Sequence, residues 1–146
     1  MEQKEEVVIR DATPSDVPAI AELIEPFVEQ KKLLPRTHEE LADLTRHGFV
    51  ALAGDKLIGF AAVEVYSRKL AEVQCLAVAA PWQRQGVGKR LIRRCIRRAH
   101  ELNILELMAI SASDAFLIEC GFDYSLPEQK RALFYQPRAH YREEDD

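Results

Sequence analysis

The sequence predicts a mixed α/β fold of the α+β type, in which a central, mostly antiparallel sheet is flanked by about four helices. Two apolar runs joined by Gly54-Asp55 predict a β-hairpin, and a third apolar run follows them, so that the three form a meander. Segments with apolar residues at helical spacing lie on both sides of this meander. The chain has 146 residues, of which 47% are hydrophobic, a size that fits one domain over residues 1–146 with a buried core.

The N-terminal elements are a short strand and a capped helix. Residues 7–11, VVIRD, have the composition of a strand. A helix is expected to begin after Thr13, because Pro14 suits its first position and Asp16 completes a capping box. Pro26 removes a backbone donor within the apolar repeat, so it is expected to kink or end this helix.

A second short helix leads into the meander. Thr37 and Glu40 form another capping box, which predicts a helix that ends near Arg46. The third strand of the meander, AEVQCLAV over residues 71–78, becomes continuously apolar toward its end, as expected for a strand that is covered on both faces. Pro81 ends this strand.

The C-terminal elements complete the sheet. A helix is expected from the glycine segment that follows Pro81 to about Leu102, and LELMAIS over residues 105–111 predicts a buried strand. Residues 112–120 predict another helix, after which GFDY over 121–124 turns into a sixth strand. KRALFYQP over 130–137 is expected to close the sheet, which gives about six to seven strands in all.

Composition and charge exclude several classes of protein. Cys75, Cys95 and Cys120 are well separated and odd in number, which argues against a disulfide framework or a metal site and favours a reducing cytoplasm. The net charge of -4 argues against a polycationic nucleic-acid binder. The charged N-terminus shows no signal peptide, and no apolar run is long enough to span a membrane. Residues 139–146 predict an acidic, frayed tail.

The segment QRQGVGK, residues 83–89, is a candidate anion-binding loop. It lies between a predicted strand and a predicted helix, where the first backbone N–H groups of the helix have no partner within it and the helix dipole adds positive charge. Gly86 and Gly88 keep side chains away from the backbone there, while Gln83, Arg84 and Lys89 can add donors. A diphosphate fits this arrangement better than a single phosphate.

Three nucleotide motifs compete for this segment. A Walker loop needs Ser or Thr after the lysine, where this chain has Arg90, and a dinucleotide fingerprint needs a third glycine, where it has Leu91. The pattern Q/R-x-x-G-x-G/A fits Gln83, Gly86 and Gly88, and it resembles the pyrophosphate loop of GNAT-superfamily N-acetyltransferases, which bind acetyl-CoA. The apolar helix that runs into Gly-Phe in AFLIECGF and the opening IRDATPSDVPAIAELI extend this resemblance over almost the whole chain.

The resemblance implies a fold, a cosubstrate and a chemistry. It implies the GNAT fold and direct transfer of acetyl from acetyl-CoA to an amine, with no metal. In the family the strand before the glycine loop splays from its neighbour and exposes backbone groups that contact the coenzyme. The positions that would bind the coenzyme here are Leu76, Ala77, Val78, Gln83, Arg84, Gln85, Gly86, Val87, Gly88 and Lys89.

A catalytic base and a proton donor are also required. An ammonium must lose a proton before it can attack, and the departing thiolate benefits from an acid. Glu72 and Glu64 are the candidate carboxylates on the meander strands. Many family members use a tyrosine as the acid, but the corresponding position here is Leu117, so Ser111 and Ser113 are the nearest alternatives.

One branch of the family fits the chain well. LLPRTHEEL, KLAEVQCLAV and GFDYSLPEQKRALFYQPR resemble the acetyltransferase domain of bacterial N-acetylglutamate synthase. This resemblance implies that Arg36 and Arg138 hold the carboxylates of an amino acid, since arginine pairs with carboxylates through two parallel hydrogen bonds. It places the base on Glu72, the acid on Ser111 and the oxyanion contact on the backbone of Cys75.

The chain also departs from that branch. Phe134-Tyr135-Gln136 replaces a Tyr-Asn pair, His140 replaces a serine, and the amino-acid-kinase domain of the long synthases is not found, so a short stand-alone form is expected. L-glutamate is the leading acceptor; aspartate, another amino acid, a different small amine and a protein amine stay open, as does a silent CoA-binding module. The exposed strand edges expected near the C-terminus would allow a homodimer.

Overall fold

The structure, a computed structural model, describes residues 5–111 and 114–124, together with Leu133, Tyr135 and Pro137. Two 3-10 helices, Pro14–Asp16 and Ala80–Trp82, lie among the longer elements. Those elements are β1 (Val7–Asp11), α1 (Val17–Glu29), α2 (His38–Thr45), β2 (Gly48–Ala53), β3 (Lys56–Val65), β4 (Leu70–Val78), α3 (Val87–Glu101), β5 (Glu106–Met108) and α4 (Asp114–Glu119).

One mixed sheet has the strand order β1-β2-β3-β4-β5. The first four strands pair antiparallel, and β5 pairs parallel with β4. The predicted fold class and its four helices are therefore confirmed, whereas the described part of the chain has five strands rather than six to seven. Residues 121–124 form no strand there, and the predicted strand over 130–137 lies outside the described residues except at three positions. No helix in the described ranges is long and apolar enough to cross a bilayer.

The entry to α1 follows the predicted capping box. The backbone N–H of Thr13 donates to the Asp16 carboxylate at 2.8 Å, and a 3-10 turn precedes the α-helix. Pro26 was expected to kink or end this helix, and it does not end it, because α1 continues to Glu29. Pro26 lies only one turn from the end, and its own carbonyl accepts from the N–H of Gln30 at 3.1 Å, so the helix tolerates the missing donor.

The core has two layers, one on each face of the sheet. On one face, buried residues of α1 and α2 such as Ile20 and Leu41 pack against Phe60 of β3. On the other face, Leu91 and Cys95 of α3 pack against the sheet. We call the first the α1/α2 face and the second the α3 face. Since side chains alternate along a strand, the three inner strands, β2, β3 and β4, contribute to both layers.

Strand β5 is shorter and less buried than expected. The sequence predicted a buried strand over residues 105–111, but only Glu106–Met108 pair with β4, and Glu106 is exposed. An apolar run resembles a strand whether or not a neighbouring strand accompanies it along its whole length. The early end of β5 leaves residues 73–78 of β4 without a β5 partner among the described residues.

His47 connects the sheet to α3 and should make stability depend on pH. Its Nδ1 lies 3.0 Å from Nη1 of Arg98, and since arginine can only donate, Nδ1 must be unprotonated. Burial, followed by the charges of Arg98 and Arg46, lowers the pKa of His47 below 6.5. The unfolded chain therefore binds this proton more readily, and stability that is full above pH 6.5 falls as the pH drops toward the lowered pKa.

We expect the urea midpoint of the protein to fall between pH 7.5 and pH 5.5, and to fall less in a His47→Asn variant, which keeps an acceptor but does not titrate. The carboxylates with lowered pKa values, Asp16 and Glu40, titrate below this window. An equal fall in both proteins would assign the effect to other groups.

Candidate functional site

The predicted anion-binding loop connects β4 to α3 with two left-handed residues. Arg84 has φ 63° and Gly86 has φ 84°, and Gly86 is the residue that caps α3. The side-chain amide of Gln83 donates to the carbonyl of Val78 at 2.9 Å and so ties the loop to the end of β4. Gln85 donates in the same way to Pro81 at 3.1 Å. These two bonds fix the path of the loop that leads into α3.

The first turn of α3 is suited to a negatively charged ligand. No acidic residue lies in this turn, so no carboxylate of the turn itself occupies the positive end of the helix dipole. Val87 is buried at 2% exposure and anchors the turn to the core. A Cβ on Gly88 would lie 3.4 Å from the ring of Phe116 on α4, so α4 closes one side of the turn.

Lys89 is the one loop residue whose side chain has an ionic partner among those described. Its Nζ lies 3.8 Å from the Glu119 carboxylate on α4. The lysine is partly exposed and the glutamate largely exposed, so this pair is weak and a phosphate could compete for the lysine. The role predicted for Lys89 at a diphosphate stays a prediction.

Strands β4 and β5 part after the third residue of β4. The last pair is Glu72 with Met108, whereas β4 continues to Val78. Beyond that pair, Ala77 and Val78 keep their pairing with β3 on one side and have no described strand on the other, and Leu76 lies at an irregularity of the β3 pairing. Backbone groups on this side of β4 are thus available to a ligand that lies between the strands. This is the splay expected from the family resemblance.

A β-bulge at Cys75 lies within the parted segment. Phe60 pairs with Ala77 and Ala62 with Gln74, so a single residue of β3 faces both Cys75 and Leu76. Cys75 has φ 62°, a conformation that costs a non-glycine residue of the order of 1–3 kcal/mol and is typical of functional sites. Burial raises the pKa of the Cys75 thiol, which keeps it protonated and fits a packing side chain rather than a nucleophile.

Glu72 belongs to a group of hydrogen-bonded side chains on the α1/α2 face, which we call the polar cluster. Tyr66 Oη donates to Glu72 Oε1 at 2.6 Å, and Gln74 Nε2 lies 3.3 Å from both Tyr66 Oη and Glu64 Oε2. Arg36 Nη2 donates to Gln74 Oε1 at 2.7 Å. The cluster comprises Arg36, Glu64, Tyr66, Glu72 and Gln74.

Arg36 reaches the sheet instead of pairing on the surface. The alternative of an ion pair with Glu39 or Glu40 is not what the structure shows, since Glu40 completes the capping box with Thr37. Among the described residues, no carboxylate lies within 4.0 Å of the Arg36 guanidinium. Only one of its N–H groups donates to Gln74, so the others can donate to the carboxylate of a ligand.

Sequence reasoning found Arg36, Glu64 and Glu72 but missed Tyr66 and Gln74. The signal that would have found them is the alternation of side chains between the two faces of a strand. It puts Gln74 on the same face as Glu72 and Tyr66 on the same face as Glu64. The register of β3 with β4, in which Glu64 lies opposite Glu72, is what brings the two pairs together.

Of the remaining predicted residues, the structure describes Ser111 but not Ser113 or Arg138. Ser111 is exposed and lies three residues beyond the end of β5, on the side where β5 leaves β4. Arg138 and Ser113 lie outside the described residues, as do Phe134, Gln136 and His140. The roles predicted for Ser111 and Arg138 therefore stay predictions.

Comparison with known proteins gives a consistent result. The chain matches the model of the acetyltransferase (GNAT) family over residues 16–122. It is 34% identical over 131 residues to the amino-acid acetyltransferase of Neisseria meningitidis serogroup A, in an alignment that covers 86% of this chain and 30% of that protein. The chain thus spans about 30% of the length of this relative.

Two solved structures resemble the chain closely. N-acetylglutamate synthase from Neisseria gonorrhoeae, complexed with coenzyme A and N-acetyl-glutamate, has a TM-score of 0.76 and 32% identity, covering 88% of this chain and 31% of that one. A protein from Mycobacterium tuberculosis, in complex with CoA and NLQ, has a TM-score of 0.75 and 26% identity, covering 86% of this chain and 76% of that one.

Proposed function

Because this chain belongs to the acetyltransferase (GNAT) family, we propose that it transfers an acetyl group from acetyl-CoA to the α-amino group of an amino acid, with L-glutamate as the leading acceptor. The observation that carries this proposal is the parting of β4 from β5 immediately after Glu72, with the glycine loop at the far end of β4. A thioester between the strands would lie between a diphosphate site and a carboxylate.

The loop supports the choice of donor. The N–H groups at the first turn of α3, which have no partner within the helix, and the glycines at positions 86 and 88 suit the diphosphate of CoA. The unpaired side of β4 suits the amides of the pantetheine arm, which can add to the strand edge as another strand would. The CoA-bound neighbours support acetyl-CoA as the cosubstrate.

The chemistry proceeds by direct attack. Glu72 takes a proton from the acceptor ammonium, and the free amine attacks the thioester carbon, so a C–N bond forms as the C–S bond breaks. The backbone N–H of Cys75 would stabilise the oxyanion, and Ser111 would give its proton to the departing thiolate. The second proton that the nitrogen loses on becoming an amide would restore Ser111. Coenzyme A and the N-acetyl amino acid are the products.

Arg36 supports a carboxylate-bearing acceptor. It is half-buried, held at one edge by Gln74, and linked through Gln74 and Tyr66 to the proposed base. A carboxylate on Arg36 would therefore place an α-amino group toward Glu72. We assign the second carboxylate of L-glutamate to Arg138.

A thiol-release assay with acetyl-CoA and each of the twenty amino acids tests the proposal. We expect turnover to be highest with L-glutamate, and N-acetylglutamate to be found by mass spectrometry. Turnover with another amino acid alone would keep the activity and change the acceptor. If acetyl-CoA is consumed with none of the twenty amino acids, the proposal of an amino-acid acceptor is overturned.

Polyamines and a short peptide belong in the same assay. A groove of about 500 Å³ between α2 and the end of β3 carries both charges, and its lining includes Arg36, Glu40, Asp43, Arg46 and Glu64. The three carboxylates would favour a cationic acceptor such as a protein or polyamine amine. Faster turnover with these amines than with any amino acid would favour this second function.

The substitution Arg36→Ala tests the acceptor site. We expect it to raise the KM for the amino acid by roughly 10- to 100-fold, the loss that follows removal of a charged hydrogen-bonding partner, with the KM for acetyl-CoA unchanged. Arg36→Lys should recover only part of the loss, because lysine lacks the planar fork. Arg97→Ala, on the exposed face of α3, is the matched control. An effect of Arg36→Ala on the melting midpoint alone would make Arg36 a structural residue.

A further inference from the structure

We propose that Tyr66 is a positioning residue for the base Glu72, and that Gln74 joins it to Arg36, so that acceptor recognition and proton removal are held in one hydrogen-bonded unit. This inference rests on the proposed acetyl transfer and extends it to two residues, Tyr66 and Gln74, that the family resemblance did not assign. The polar cluster provides the contacts that carry it.

The backbone places the Tyr66 hydroxyl next to Glu72. Tyr66 follows directly after β3, and its N–H donates to the carbonyl of Leu70 at 3.0 Å, which fixes the start of its side chain. Glu72 lies two residues beyond Leu70 on β4, a diagonal neighbour within reach of a long aromatic side chain. The resulting bond, from Tyr66 Oη to Glu72 Oε1, is 2.6 Å long and holds one carboxylate oxygen while the other stays available for a proton.

Tyr66 also distinguishes two opposed carboxylates. Glu64 and Glu72 lie directly across from each other on β3 and β4, an arrangement that is unfavourable for two negative charges. Donors lie between them: the Tyr66 hydroxyl makes its 2.6 Å bond to Glu72 and interacts more weakly with Glu64, which also receives the amide of Gln74. The short bond from the hydroxyl fixes Glu72 more firmly than the 3.3 Å amide contact fixes Glu64.

The hydroxyl remains a donor at working pH. Burial and then the hydrogen bonds to Glu72 and Glu64 raise the pKa of Tyr66, so its proton is retained well above neutrality. Tyr66 therefore supplies orientation and does not itself act as the base.

Gln74 has its amide orientation set from both ends. Its oxygen faces Arg36, because a guanidinium can only donate, so its nitrogen must face Glu64 and Tyr66. The Arg36 guanidinium that would bind an acceptor carboxylate is thus linked through Gln74 and Tyr66 to the proposed base, Glu72. The acceptor site and the base are connected by side-chain contacts and not only by the backbone.

The variant Tyr66→Phe, which removes only the hydroxyl, tests the positioning role. We expect kcat to fall about tenfold or more, the value of a hydrogen bond to a charged group, while the KM for acetyl-CoA stays within about twofold. Tyr124→Phe, at a tyrosine beyond α4, is the matched control.

A second variant, Gln74→Leu, removes the link to Arg36. We expect it to raise the KM for the amino acid about tenfold, with acetyl-CoA still raising the melting midpoint as in the wild type. The inference is overturned if Tyr66→Phe leaves kcat unchanged. It is also overturned if the two variants act only by lowering the melting midpoint. These outcomes are distinct from failure of the proposed function, in which the wild type itself acetylates no amine.

Discussion

Replacing Glu72 by glutamine is expected to lower kcat by about 10²- to 10⁴-fold, the usual contribution of a general base, while acetyl-CoA binds as before. The amide keeps the size of the side chain and can still contact Tyr66, but it cannot accept a proton from an ammonium. Glu72 is the last residue of β4 that pairs with β5, so its carboxylate lies where a thioester between the strands would react. Single-turnover rates and coenzyme binding, measured separately, check both parts.

Glu64→Gln is the control that the structure offers. Glu64 lies directly opposite Glu72, on the same face and in the same cluster, yet it is on the β3 side, away from the parted strands. We expect it to retain activity within about threefold to fivefold of the wild type. If Glu64→Gln caused the large loss and Glu72→Gln the small one, the base would be Glu64 and the roles assigned to the two strands would be exchanged.

The second large effect is expected from Gly86→Val. Gly86 has φ 84°, which a β-branched residue adopts only with strain, so the loop must change its path even though a Cβ would meet no atom within 4 Å. A ligand present at 100 times its Kd raises the free energy of unfolding by about 2.7 kcal/mol. For a chain of this size, this corresponds to a rise of roughly 5–10 °C in the melting midpoint. We expect acetyl-CoA to produce this rise in the wild type and none in the variant.

Gly121→Val separates strain from coenzyme binding. Gly121 also has a positive φ, 102°, and a Cβ there would also meet no atom within 4 Å. It lies just after α4, where it lines a groove with the C-terminal half of α3, away from the loop. Both variants should lose stability in the absence of ligand, but only Gly121→Val should still be protected. Full protection of Gly86→Val would remove the loop from the coenzyme site.

Contiguous signals made the family and much of the fold predictable. The glycine loop, the two capping boxes and the Gly54-Asp55 hairpin each depend on a few residues that are close in the chain, and the structure has each in its expected place. The predicted family is confirmed by the match over residues 16–122 and by relatives that are named as amino-acid acetyltransferases. Local stereochemistry is enough for features of this kind.

Features that depend on strand partners were predicted less well. The sequence overestimated β5, because an apolar run does not tell how far a neighbouring strand accompanies it. Pro26 was expected to kink or end α1, but it does not end the helix, because its position near the last turn and the packing of the helix on the sheet outweigh one lost donor. The bulge at Cys75 left no mark in the alternation of apolar residues.

The sequence by itself determined where a glycine-containing loop leads into a basic helix, and therefore that the loop suits an anionic ligand. Only the tertiary structure decided which side chains surround Glu72, since the register of β3 against β4 and the path of the chain before α2 bring Tyr66, Gln74 and Arg36 to it. The physical reason is that a loop conformation follows from the torsional preferences of neighbouring residues. Contacts between residues 36 and 74 follow instead from burial of the whole sheet.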